Sequence, residues 1–105
     1  MILKKISLQK YHKQMKVNGE KTFERDIGKI RDKALLTKIM DIIIQLENAS
    51  SIFEIHNCKK IEGYDNYYRF RIGDYRLGVK ISSRQEAVLI RFLHRKDIYR
   101  YFPPK

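Results

Sequence analysis

The stretch "FLHRKDIYRYF", Phe92 to Phe102, sets a histidine, three cations and two tyrosines directly behind the most apolar run in the second half of the chain. Histidine is the side chain whose unperturbed pKa lies nearest neutrality, so His94 is a candidate to take or deliver a proton at physiological pH. Arg95 beside it can neutralise charge that builds on a phosphorane-like transition state, and Tyr99 can stack on a base or donate a proton. Each residue also has a plainer use. A lone histidine at a strand end is often a surface or capping residue, and Tyr101 and Phe102 suit a terminal turn packed onto the core.

The cations that would accompany this stretch lie upstream. In "YYRFRIGDYRLGVKIS" Arg69, Arg71, Arg76 and Lys80 alternate with apolar residues, so in extended structure all four leave the same side of a sheet. Arg91, which interrupts the next apolar run, is placed to join them. Such a face is either a solvated sheet surface or a phosphate site. The near absence of interleaved acids, and the fit of arginine's planar fork to phosphate oxygens, favour the phosphate site. Strict alternation sets His94 on the side of Phe92 and Ile90, which leaves open whether it turns towards the arginines.

The elements that must position these residues follow from periodicity. Phe23, Ile27 and Ile30 draw a helical stripe over about Lys21 to Ile30, and Leu35, Leu36, Ile39, Met40, Ile43 and Leu46 draw a second that ends near Asn48 to Ser51. From Asp65 the period becomes two. Tyr68, Phe70 and Ile72 form one strand, Gly73 and Asp74 a tight turn, and Tyr75, Leu77, Val79 and Ile81 a second strand. "SSRQE" makes the next turn, and "AVLIRFLH" reads as a third strand, central and covered on both faces. A short strand near Met15 to Val17 can add an edge, and "KDIYRYF" a last helical turn before Pro103 and Pro104.

Composition narrows the function classes. The chain has 105 residues, 43% of them apolar, which suits one folded domain. Twenty-three Lys and Arg against twelve Asp and Glu give a net charge of +11, which points to a polyanionic partner. Cys58 is the only cysteine, so no internal disulfide and no multi-thiolate zinc site can form, and a reducing compartment, the cytoplasm, is expected. No run approaches the ~20 apolar residues that span a bilayer, so no membrane partner is expected. There is no glycine-rich phosphate loop before a helix and no His-x-x-x-His or Glu-x-x-His pattern, so neither metal nor cofactor is expected. His12 and His56 have no convergent partners.

In "FERDIGKI", "KKIEGYDNYYRFRIGDYRLGV" and "RFLHRKDIYRYF", which span about Met15 to Phe102, the chain resembles the RelE/ParE superfamily of toxins from type II toxin–antitoxin systems. The resemblance implies an α+β fold, with an N-terminal helical hairpin packed on a small antiparallel β-sheet and a short C-terminal helix. It sets residues 1–14 apart as a possible N-terminal extension and residues 15–105 as a single toxin domain. It also implies a metal-independent endoribonuclease of the RelE branch that cuts mRNA on the ribosome. The alternatives are a ParE-like inhibitor of DNA gyrase and a non-catalytic RNA- or ribosome-binding module.

The implied chemistry is transesterification: a ribose 2′-OH attacks the adjacent phosphate, leaving a 2′,3′-cyclic phosphate and a 5′-OH end. Arg69 and Arg71 stand where the founding type usually has lysines, Arg76 matches the arginine of its "GYR"-like segment, Arg95 the arginine after its last strand, and Tyr99 its C-terminal tyrosine. Arginine stays protonated, so Arg69 and Arg71 can hold phosphate but cannot act as a base. That leaves His94, with Arg95, Tyr99 and Arg76, as the catalytic candidates, and Arg69, Arg71, Lys80 and Arg91 as phosphate ligands. The implied partners are mRNA, the ribosome and an acidic antitoxin that masks the basic face.

Overall fold

The computed structural model describes residues 15–82 and 86–104. In chain order the elements are β1 (Lys16–Gly19), α1 (Lys21–Gly28), α2 (Lys33–Asn48), a 3-10 turn (Ile52–Glu54), β2 (Cys58–Lys60), β3 (Tyr67–Ile72), β4 (Tyr75–Ile81), β5 (Glu86–His94) and α3 (Ile98–Tyr101). The strands form one sheet in the order β1-β5-β4-β3-β2, with β1 parallel to β5 and every other pair antiparallel. The α+β class and the β3-β4-β5 meander match the sequence reading. The N-terminal helical hairpin does not. A strand precedes both helices, the sheet is mixed, and α1 packs on β5 while α2 crosses to β1 and β3. The helices do not form the expected pair because each buries its stripe against different strands. β2 has no counterpart in the sequence reading.

Local chemistry fixes the boundaries. Asp32 caps α2, its carboxylate accepting from the backbone N–H groups of Ala34 and Leu35 at 2.9 and 3.2 Å. The 3-10 turn carries a capping box between Ser51 and Glu54. The β3-β4 hairpin closes on two residues, with Gly73 at φ 58 in the first turn position, where a type II′ turn needs positive φ.

The main core lies between the helices and one sheet face, where Ile39, Leu46, Phe70, Leu77, Val79, Ala87, Leu89 and Phe92 are buried. Fully burying a side chain the size of Phe70 or Phe92 stabilises the fold by roughly 1.5–3 kcal/mol.

β5 departs from simple alternation. Val79 pairs with Leu89 while Gly78 pairs with Arg91, so Ile90 is an extra residue, a β-bulge. Ala87 and Leu89 face the helices before it, and Phe92 does so after it. The bulge lies where β1 has ended and the outer edge of β5 would be bare. There α1 takes over: Glu20 N–H bonds Leu89 O, Thr22 Oγ1 donates to Ile90 O at 2.7 Å, and the N–H of Phe92 donates to Asp26 Oδ2 at 2.9 Å. Arg91 grips both oxygens of the same carboxylate, Nε to Oδ2 at 2.8 Å and Nη2 to Oδ1 at 3.0 Å. Asp26 is thus a buried acid with three donors on it, and its side chain is only 2% exposed.

Asp26→Ala strips Arg91 of its counter-charge and leaves the buried Phe92 N–H unpaired. We expect a loss of about 3 kcal/mol or more, read as a lower urea midpoint with an unchanged m-value.

Candidate nucleic-acid interface

The sheet face turned away from α1 and α2 carries three rows across the strands. Arg71 of β3 stands opposite Arg76 of β4, which stands opposite Leu93 of β5. The next row runs Lys59, Arg69, Gly78, Arg91, and the one beyond runs Tyr67, Lys80, Val88. The expectation that Arg69, Arg71, Arg76 and Lys80 share one face therefore agrees with the register.

Half of that face is covered, however. α3 lies on it, and Ile98 and Phe102 are buried with Ile90 in a second small core, flanked by Ile61, Tyr67, Val88 and Leu93. Phe102 sits directly on Gly78, where an added Cβ would meet its ring at 2.6 Å. Gly78 is the residue that lets the C-terminal segment reach the sheet. Phe102 parts Lys80 from the arginines, and the Lys80 Nζ lies 6.0 Å from the Tyr67 ring centre. What stays open is Arg69, Arg71 and Arg76, beside the Gly73–Asp74 turn, with Lys59 exposed on the edge strand next to Arg69. Arg71 is exposed, Arg69 and Arg76 half-buried.

Like charges directly opposite on paired strands cost roughly 0.2–1 kcal/mol, and the Arg71–Arg76 pair has no acid between its members. The Arg76 guanidinium is held by the carbonyls of Gly73 and Tyr75, at 3.0 and 2.8 Å, both from Nη1. Its Nε and Nη2 have no protein acceptor among the described residues.

The C-terminal candidates disperse. His94 pairs with Tyr75, on the helix side of the sheet and so opposite to the arginines; its ring meets Tyr75 edge-on at 5.5 Å, and its Nδ1 accepts from Lys96 N–H at 3.1 Å. Only Nε2 is left for a ligand. The bulge explains the placement: it puts Ile90 on the open face but returns Phe92 and His94 to the helix side. Arg95 lies at the turn end, its N–H on Asp74 O at 2.7 Å and its exposed guanidinium 3.9 Å from the Asp74 carboxylate. Tyr99 is exposed on the outer side of α3. Arg91 does not join the arginines, because its guanidinium turns to Asp26 and lies 5.0 Å from the Tyr101 ring centre.

Asp26 is legible in principle: it falls three residues after Phe23 and four before Ile30, inside the apolar stripe. Lys59 is hidden with β2, whose three residues show no period. Among the described residues no group of three or more His, Cys, Asp or Glu side chains is placed to hold a metal ion, and no helix is long and apolar enough to cross a membrane.

Residues 18–99 match the family model described as the ParE toxin of type II toxin–antitoxin systems. The chain is 42% identical over 94 residues to Toxin RelE3 of Methanocaldococcus jannaschii, covering 85% of this chain and all of that protein. It belongs to the RelE/ParE family of type II toxins. Its fold matches the RelB–RelE antitoxin–toxin complex of Methanococcus jannaschii with a TM-score of 0.68 at 38% identity, over 81% of this chain and 98% of that one. It also matches the archaeal RelE–RelB complex of Pyrococcus horikoshii with a TM-score of 0.65 at 20% identity, over 78% and 96%. Within the toxin family, then, this member presents an arginine cluster on a sheet face half closed by its own C-terminus.

The crowding of charge at this site has a measurable effect. Arg71→Gln removes one charge of an unfavourable pair, so stability should hold or rise by about 0.2–1 kcal/mol, measured by urea unfolding. Cys58, beside Phe70 on β2, is half-buried, and burial pushes its thiol up to about 12, with Arg69 opposing only in part. The thiol should alkylate with iodoacetamide far more slowly at pH 8 in the folded protein than in urea. Because the folded value lies above the ordinary 9.0, stability is untouched below that pH and declines as pH rises from there towards 12.

Proposed function

We propose that this toxin acts on RNA, as an endoribonuclease that cuts mRNA during translation in the cytoplasm. The observation that carries the reading is the Arg71–Arg76 pair with Arg69 beside it. The fold tolerates this unneutralised cluster at a cost in stability, on the part of the face that its C-terminal helix leaves open. Three guanidinium forks within reach of one another suit a phosphate, and above all one gaining charge during transesterification.

The roles divide by position. Arg71 and Arg69 hold the phosphate, and Arg76, fixed by the turn carbonyls, presents Nε and Nη2 to the developing charge. Arg95 supplies a further cation from the turn end, where only an exposed carboxylate 3.9 Å away competes for it. Proton transfer falls to Tyr99 or to the free Nε2 of His94. His94 must be reached around the end of β5, because it lies across the sheet from the arginines. Lys80 and Arg91 are not part of this centre.

That same placement of His94 favours a second reading. A toxin that binds RNA or another polyanion through the arginines, with no proton transfer, needs nothing from the helix side of the sheet. Gyrase inhibition belongs to this class. For either reading we propose an acidic antitoxin as cognate partner, since the matched archaeal toxins are found in complexes with an antitoxin of their own.

The deciding experiment is cell-free translation with the purified chain, followed by primer extension on the message. Ribonuclease action predicts discrete, translation-dependent cuts that Arg76→Ala weakens by about 100-fold or more. Intact message with blocked DNA supercoiling would refute ribonuclease action in favour of gyrase inhibition. Intact message with normal supercoiling and retained RNA binding would leave the binding module.

A further inference from the structure

Beyond the arginine cluster, the row Arg71–Arg76–Leu93 runs on into a groove of about 520 Å³ between α1 and α3. One wall is α1, carrying Arg25 and Asp26, with Lys29 just past its end and one turn from Arg25. The other is the face of α3 that carries Asp97 and Tyr101, and the floor is Arg91 with Leu93. Arg25 and Lys29 are exposed and have no ion-pair partner among the described residues. Arg91 is already spent on Asp26. Its guanidinium lies 5.0 Å from the centre of the Tyr101 ring, and that tyrosine is still 54% exposed, so the ring keeps a free side.

We propose that this groove binds one flanking nucleotide of a single-stranded RNA: Tyr101 stacks on its base, and Arg25 and Lys29 hold its phosphate. The helix dipole accounts for cations near the end of α1, but not for an aromatic ring braced across the groove from them. Two like charges one turn apart repel, and a phosphate between them relieves that. A volume of this size is in the range of small-molecule sites. Asp26 on the α1 wall is neutralised by Arg91, whereas Asp97 on the far wall has no ion-pair partner among the described residues and repels phosphate, which sets the polarity: phosphate towards α1, base towards α3. The strand would thus cross the sheet at right angles to the β-strands, from Arg71 over Arg76 and Leu93 to α1. The inference rests on the RNA reading and extends its footprint.

The test is binding of the full chain to a fluorescent oligouridine octanucleotide made with 2′-O-methyl groups, which cannot be cut by 2′-OH attack, across a series of salt concentrations. The Arg25→Ala/Lys29→Ala double variant should flatten the slope of log affinity against log salt by about 0.7 for each phosphate that the groove no longer neutralises. Tyr101→Ala should lose roughly five-fold or more in affinity with the slope unchanged, and Tyr101→Phe should keep it. A double variant with the wild-type slope and affinity, alongside an Arg71→Ala/Arg76→Ala variant that binds poorly, overturns the groove and leaves the RNA reading standing. Wild-type protein that fails to bind the oligonucleotide overturns the groove as a single-stranded RNA site, and the RNA reading then stands or falls on the cell-free translation assay. Equal losses for Tyr101→Phe and Tyr101→Ala also count against the groove, since stacking needs the ring and not the hydroxyl.

Discussion

One carboxylate holds together the parts of this molecule that matter for its surface. Asp26 takes the N–H of Phe92 and both arms of Arg91 at the point where β5 bulges and loses β1 as its neighbour. An apolar residue would fill the same volume without the desolvation cost of a buried ion, but it could not accept the N–H that the missing strand leaves bare. The bulge, the seat of α1 and the direction of Arg91 are therefore one arrangement. The Tyr101 ring in turn lies against Arg91, which ties α3 into the same arrangement.

The consequences reach the open face of the sheet. With the bulge in place, Ile90 projects under α3 and helps seat Ile98 and Phe102, while Gly78 makes room for the Phe102 ring. The C-terminal segment then closes half of the face and leaves Arg69, Arg71 and Arg76 open near the hairpin turn. Buried charge is paired here and exposed charge is concentrated. The protein carries a net charge of +11, yet the half-buried Arg91 is neutralised by Asp26, and the cluster left bare is the one that would meet a polyanion. Self-repulsion at the Arg71–Arg76 pair is the stability cost of keeping that cluster ready.

The sequence displays this arrangement unevenly. β3 and β4 are legible because polar and apolar residues alternate on either side of the Gly73–Asp74 turn, and the same alternation sorts Arg69, Arg71, Arg76 and Lys80 onto one face. β5 is legible as a strand but not in its facing. "AVLIRFL" is apolar at nearly every position, because both faces are covered, and such a run contains no parity from which a bulge can be read. The direction of His94 is hidden with it. β2 is three residues long and is held by its pairing with β3 rather than marked by a pattern of its own. The pairing of Arg91 is a tertiary fact: nothing near it in sequence hints at an acid 65 positions upstream. Only Asp26's place in a helical stripe gives any sign, and a charged residue there is easily taken for a solvated one.

The central claim is that the bare arginines, and not Arg91, meet the phosphate. The side-chain Nε–Hε resonances report it most directly, followed by NMR as the full chain is titrated with a single-stranded RNA blocked at its 2′ positions. The account predicts that Arg69, Arg71 and Arg76 shift early and together while Arg91 keeps the Nε–Hε signal of a guanidinium bound to Asp26. Early, large shifts at Arg91 with the three arginines unmoved would contradict it.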